Sequence, residues 1–234
     1  MVHGGHATGG RLLTARGMRT RARLVEAAHE VFRTTPYASV RLTDITAAAG
    51  VASGTFYTYF DSKEAVFREV ADDVLVELSA SARRDPDNVD GDLVRDIADA
   101  TREYFRACLR NVEVVRSMEQ LAVSDAGLDT ARRNTVVVGV KRVERWIRRL
   151  QDEGICDTDL DARTTAMVLH TMNVRVAYDH LLATGGDDLE QLVAAVTRVW
   201  ARTVGLEQPP RDESVAEQVV RDRRELGDRG EHVT

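Results

Sequence analysis

The residues of this 234-residue chain best placed to do chemistry are gathered between Leu42 and Phe67. Leu42, Ile45 and Ala49 recur at helical spacing. Gly50 then stops the helix, because glycine enters the left-handed conformation at little cost. Val51 restarts the apolar pattern, and Phe56 and Phe60 share one face of a second short helix. Two short helices joined by a glycine-containing turn form a helix-turn-helix, whose second helix enters the major groove of duplex DNA. That helix is predicted from Ala52 to Tyr59, with Ala52, Ser53, Gly54, Thr55, Tyr57 and Thr58 facing outward and Phe56 and Phe60 in the core. Gly54 either lets the backbone approach DNA or lets two helices pack. The helix carries no Arg, Lys, Asn or Gln, so bidentate reading of guanine or adenine is not open to it. Hydroxyl bonds, methyl contacts to thymine, Arg41 or an N-terminal arm, and DNA shape are left to supply specificity. Asp61 is expected to cap a further helix, with Glu64 reaching back. Lys63 then falls in a first turn, where the helix dipole disfavours a cation; a phosphate on that helix end would reconcile the two.

The elements around this stretch read as helices throughout. An amphipathic helix from about Met18 to Arg33 puts Leu24, Ala27, Ala28, Val31 and Phe32 on one side, and Pro36 ends it. After a helix from about Ser62 to Ala80, Asp85-Pro86-Asp87-Asn88 breaks the chain with turn chemistry. Further helices are predicted over about Leu93–Leu109, Val112–Val123, Ala126–Asp152, from Asp159 or Asp161 to Thr184, and over about Asp188–Val204. The β-branched run Val136-Val137-Val138 lies inside a longer helical period and does not make a strand. The fold class is therefore all-α: a helix-turn-helix unit followed by a helical bundle. Residues 1–15 are expected to be a disordered tail, 16–65 the helix-turn-helix domain, 66–206 the helical body, and 207–234, beyond Pro209-Pro210, a charged tail.

Charge follows the same division. Residues 1–70 hold nine Arg/Lys against six Asp/Glu, a net of +3, and the remainder holds 23 against 32, a net of −9. Arg16, Arg19, Arg21 and Arg23 form a basic lead-in that reads either as an arm for the DNA backbone or as a solvated helix start. No apolar run approaches the roughly 20 residues that cross a bilayer, and no signal-peptide pattern opens the chain, so no membrane is implied and a cytoplasmic setting is expected. Cys108 and Cys156 form no metal or disulfide pattern, and His3, His6, His29, His170 and His180 do not cluster in sequence. No Ser-His-Asp order and no phosphate loop is present, so no catalytic residue, metal or cofactor is assigned.

The pieces Gly50-Val51, Gly54-Thr55-Phe56-Tyr57, Tyr59-Phe60 and Ser62-Lys63-Glu64, within the run Arg23 to Phe67, resemble in order and spacing the N-terminal domain of TetR-family transcriptional regulators. The likeness covers roughly a quarter of the chain; the helical body fits the family by architecture only. It implies a DNA-binding regulator, most simply a repressor released by a small molecule, with phosphate contacts from Tyr57, Tyr59 and Lys63 and a base or phosphate contact from Thr43 beside Arg41. It implies a homodimer on a palindromic operator, built from the last two body helices: Leu189, Leu192, Val193, Val196, Val199 and Trp200 on one, Leu169, Met172 and Val176 on the other. It also implies a largely apolar effector among the body helices, with Tyr104, Met118, Trp146, Met167, His170, Asn173 and Tyr178 as candidates. Two positions depart from the family pattern. Arg41 and Ala52 stand where Ser or Thr caps are usual, each a loss of about 1 kcal/mol. Two other readings stay open: a helical DNA-binding adaptor without an effector, for which the body core would be filled, and a helical enzyme.

Overall fold

Ten α-helices with two tight turns make up residues 13–81 and 91–206, which are the residues that the computed structural model describes; among them there is no strand. The helices are α1 (Ala15–Thr34), α2 (Leu42–Ala48), α3 (Ser53–Phe56), α4 (Lys63–Ser81), α5 (Leu93–Arg110), α6 (Val112–Leu121), α7 (Ala126–Asp152), α8 (Ala162–Val176), α9 (Leu182–Thr184) and α10 (Leu189–Thr203). A 3-10 turn (Tyr37–Ser39) precedes α2, and a π turn (Ala177–Leu181) joins α8 to α9. Side-chain oxygens set the starts. Thr14 Oγ1 accepts from the Gly17 amide at 3.2 Å, Asp92 from Arg95 at 3.0 Å, Asp125 from Gly127 and Leu128 at 2.9 and 3.1 Å, and Asp161 from Thr164 at 2.8 Å. The expected cap Asp61 is corrected to Ser62, whose Oγ accepts from the Ala65 amide at 3.2 Å. At α2 the missing cap is half replaced: the Asp44 carboxylate accepts from the Arg41 amide at 2.9 Å, the reciprocal arm of a capping box.

Helix α4 is the axis of the fold. It buries Val66, Phe67, Val70, Ala71, Val74, Leu75 and Leu78 and packs against α1, α5, α6 and α7. Each such side chain is worth about 1.5–3 kcal/mol when removed from water, so packing rather than propensity holds this helix. At its start Phe67 meets Phe32 of α1 edge-on, ring centroids 5.0 Å apart. In the body, α7 lies along α8 and α10 lies along α5. The α7–α8 crossing is close because position 139 has no side chain: a Cβ on Gly139 would stand 2.2 Å from the His170 ring.

Two sequence expectations change here. The reading helix is one turn, Ser53–Phe56, rather than Ala52 to Tyr59, because the Thr58 and Tyr59 amides bond three residues back, to Thr55 and Phe56 at 3.1 and 2.9 Å, and tighten Tyr57–Tyr59 into a turn. The apolar stripe of α10 is divided: Val193, Val196 and Trp200 are buried within the protomer, as is Leu169 of α8, while Leu189 and Leu192 are half-buried and Val199 is exposed, and the Trp200 indole donates to Asn173 Oδ1 at 2.9 Å. Residues 1–12 of the expected tail, the Asp85–Asn88 break, Pro209-Pro210 and the charged tail 207–234 lie outside the described residues.

Gly50 has φ +62°, and a Cβ there would come within 3.1 Å of the Arg23 guanidinium. Gly50→Ala is therefore expected to lower unfolding free energy by about 1–2 kcal/mol in urea titration. An unchanged midpoint would show that the turn relaxes at no cost.

Candidate nucleic-acid interface and interior cavity

The helix-turn-helix is locked from behind. The Arg23 guanidinium of α1 donates to the Ala49 carbonyl at the end of α2, the Val51 amide to Thr46 O at 3.0 Å, and the buried Thr46 hydroxyl lies 3.4 Å from that of Ser53. Phe56 and Phe60 are fully buried, 5.6 Å apart, so α3 hangs from the core by its inner face. Its outer face is open: Ala52, Ser53, Gly54, Tyr57 and Thr58 are exposed, with Arg41 and Thr43 exposed at the start of α2. Thr55 and Tyr59 are half-buried. A Cβ on Gly54 would meet nothing within 4 Å, so no neighbour among the described residues requires glycine there. Tyr57 is 62% exposed, its ring edge resting on Phe56.

The basic lead-in divides. Arg21 pairs with Glu69 of α4 and lies over the Phe60 ring at 4.8 Å, and Arg23 holds Ala49, so both brace the motif; Arg16 and Arg19 face solvent. Lys63 has partners within the chain. Its ammonium donates to the carbonyls of Tyr37 and Val40, both at 2.9 Å, and sits 4.2 Å from the centre of the Tyr37 ring. Two acceptors and a ring face explain a cation at this helix start without a phosphate. The Tyr37 hydroxyl donates to Glu64 at 2.6 Å, and its amide donates to Ser117 Oγ of α6 at 3.3 Å. That bond holds the Glu64 carboxyl below its usual range, while burial and then Glu64 push the Tyr37 phenol up. Tyr37 was not singled out from sequence; its neighbourhood carries no motif, and its partners lie 27 and 80 positions away.

In the body an interior cavity of about 40 Å³ opens between α4, α5, α7 and α8. Of the sequence candidates, Tyr104, His170 and Tyr178 line it. Four do not. Met118 is core, Trp146 packs against Trp200, Asn173 is taken by the Trp200 indole, and Met167 is 52% exposed. Leu75, Leu78, Val136 and Val174 supply the apolar wall, and Arg132 and Arg142 approach it; these were missed because they lie on three helices whose packing the pattern does not specify. Burial sets the titration of the polar groups. It pushes Tyr104 and Tyr178 well above the usual phenol range and the Cys108 thiol to about 12; together with the charge of Arg142 it lowers His170 to about 4. The cavity is thus neutral at the histidine and phenols near pH 7.

Comparison with known proteins gives a consistent result. The sequence pattern described as bacterial regulatory proteins, tetR family, matches residues 24–70. The regulator EthR of Mycolicibacterium smegmatis, an HTH-type transcriptional regulator, is 21% identical over 188 residues, 78% of this chain and 85% of that one. Among solved structures, the fatty acid degradation regulator FadR of Bacillus halodurans superposes with a TM-score of 0.61 at 19% identity, covering 81% of this chain and 96% of that one. SmeT, the repressor of the Stenotrophomonas maltophilia multidrug efflux pump SmeDEF, superposes with a TM-score of 0.61 at 21% identity, covering 81% and 94%.

Two outcomes follow from the geometry. Lys63→Gln is expected to lower stability by about 1–3 kcal/mol, because two part-buried carbonyls lose their donor; thermal denaturation without DNA reads this, and wild-type stability would refute the brace. His170 is half-buried, and desolvation together with the charge of Arg142 lowers its pKa from 6.5 to about 4. Below pH 6.5 the unfolded chain binds a proton that the folded chain excludes, so this contribution is full above pH 6.5 and falls by up to about 1.4 kcal/mol per pH unit toward pH 4. Urea titrations of wild type and His170→Gln should diverge in slope against pH within that window; parallel curves would show that His170 titrates freely in the fold.

Proposed function

We propose that this chain, a member of the TetR family through its residues 24–70, is a sequence-specific DNA-binding transcriptional regulator that represses as a homodimer and is released by a small molecule. The observation that carries the reading is the face of α3. It is exposed, small and hydroxyl-bearing, free of any neighbour that would need Gly54, and rigidly held from behind. A one-turn helix of this kind reaches base edges in the major groove with Ser53, Thr55 and Thr58, while Arg41, Thr43, Tyr57 and Tyr59 meet phosphates and sugars around it. Lys63 has a third ammonium hydrogen for a phosphate, but its first role is the brace. Arg16 and Arg19 remain for the backbone as an arm, acting in cytoplasm on a palindromic site.

In this reading residues 16–65 are the reading unit and residues 66–206 the body, with the dimer built on α8 and α10. The faces left for a partner are the exposed Val168 and Val199 with the half-buried Met172 and Val176. Leu169, Val193, Val196 and Trp200 already serve the protomer core. The effector enters the cavity between α4, α5, α7 and α8. About 40 Å³ holds only around three waters, so a ligand must spread its walls. Leu75 and Leu78 form one of those walls and belong to α4, whose other end carries the reading head. Filling the cavity therefore favours a tilt of α4 that changes the spacing of two recognition helices. The position of the cavity against α4, rather than its size, supports this reading over an adaptor without an effector. A helical enzyme finds no support in a family of transcriptional regulators.

Selection of bound duplexes from a random pool is expected to return a two-fold site, with half-sites about 34–36 Å apart or a multiple of that. Thr55→Ala with Thr58→Ala should shift the preferred bases while leaving the symmetry. Enrichment of no sequence, or of an unsymmetrical one, would refute the reading. Sedimentation should give a dimer for wild type at micromolar concentration and a monomer for Val168→Glu with Val199→Glu; a wild-type monomer would exclude the two-fold assembly.

A further inference from the structure

We propose that the interior cavity and a surface cleft beside α6 are two halves of one effector site parted by Tyr178, and that the site takes an elongated apolar molecule ending in an uncharged group that both donates and accepts a hydrogen bond. This rests on the effector reading above and names the class of molecule. The cleft has a volume of about 240 Å³ and is walled by Val115, Arg116 and Glu119 of α6 and by Arg175, Asp179 and Leu182 across from them. Tyr178 is the one residue that lines both the cleft and the cavity. It is carried on the Ala177–Leu181 segment, where the Leu182 amide donates to the carbonyl of Ala177, five residues back. Such π turns interrupt a regular helix and are frequent at functional sites. Here the interruption lies at the partition.

Beside Tyr178 the two spaces meet at Arg132, whose Nη2 donates to Asp129 at 3.2 Å and whose other edge faces Glu119. Arg132 lines the cavity and Glu119 lines the cleft, with Arg132 Nη1 3.6 Å from Glu119 Oε1. That distance attracts but is too long for a hydrogen bond. Arg132 Nε and Glu119 Oε1 are both buried and have no hydrogen-bond partner among the described residues. The other charges of the cleft are occupied: Arg175 pairs with Asp179, and Arg116 pairs with Glu113 and donates to the Leu182 carbonyl. The partition thus offers one unused donor, Arg132 Nε, and one unused acceptor, Glu119 Oε1, on two side chains that approach to 3.6 Å. A carboxylate would satisfy Arg132 and be repelled by Glu119; an ammonium would do the reverse. A primary amide satisfies both, its carbonyl accepting from Arg132 Nε–H and its NH2 donating to Glu119 Oε1. With the head at the partition, an alkyl tail extends past the displaced Tyr178 ring to the Leu75, Leu78, Val136 and Val174 wall.

The test is calorimetric titration of the full chain with octanamide, octanoate and octylamine, with stopped-flow association alongside. Octanamide is expected to bind at least about tenfold more tightly than either charged analogue, and Glu119→Gln to narrow the gap to octanoate. Tyr178→Ala should speed association by about tenfold, while Tyr178→Phe, which keeps the ring, should not. Octanoate or octylamine binding as tightly as octanamide, no octanamide binding at millimolar concentration, or an unchanged association rate in Tyr178→Ala would overturn the proposal. DNA release measured on the same samples separates the two claims. Octanamide that binds without releasing DNA sinks the effector reading and leaves this site standing. Release of DNA by other small molecules with no octanamide binding sinks this site and leaves the effector reading.

Discussion

The ammonium of Lys63 is shared between the carbonyls of Tyr37 and Val40 and lies against the Tyr37 ring. Charge-assisted bonds of this kind are worth about 1.5–3 kcal/mol each, and this pair closes the loop between α1 and α2 onto the first residue of α4. That closure sets the start of α2, and with Arg23 on Ala49 and Phe56 and Phe60 in the core it fixes the helix-turn-helix. Tyr37 extends it in two directions, through its hydroxyl to Glu64 of α4 and through its amide to Ser117 of α6. A second tie, from Arg68 of α4 to Asp125 at the cap of α7, spans the same junction at 2.8 Å. The reading head is consequently fastened to the body at several points rather than joined by a tether.

That fastening gives α4 two ends with different duties. Its first turn holds the loop that positions α2 and α3. Its last turns supply Leu75 and Leu78 to the cavity wall. A close-packed helix transmits a displacement along its length because its neighbours leave it few ways to deform. The cavity side is the softer end: it is small, its polar groups are held neutral by burial, and its partition is a π turn beside an incompletely satisfied ion pair. Rigidity at the reading end and slack at the cavity end are what a ligand-responsive switch requires.

Much of this was legible in the sequence because it depends on local rules. Helix positions followed from 3.6-residue spacing and from Asp and Gly at the ends, and α7 was placed at Ala126–Asp152 without error. The buried pair Phe56 and Phe60 and the outward set around Gly54 followed from periodicity alone. Long-range pairing was not legible. Lys63 stood out as a cation at a positive helix end, but its acceptors lie 23 and 26 positions back, so the anomaly was assigned to a missing phosphate. Arg21 and Arg23 were open between an arm and a solvated helix start because their partners Glu69 and Ala49 are 48 and 26 positions away. In the body, a stripe that faces a sister helix within the protomer has the same spacing as one that faces a second protomer. Val193, Val196 and Trp200 therefore could not be told from interface residues until α5 was seen to cover them.

The central claim is that two braced reading heads engage duplex DNA together, with the phosphates supplying most of the affinity. Anisotropy titration of one labelled palindromic operator duplex, repeated from roughly 50 to 200 mM salt, tests it most directly. The account predicts saturation at two protomers per duplex and a linear, steep fall of log affinity with log salt. Saturation at one protomer, or an affinity indifferent to salt, would contradict it.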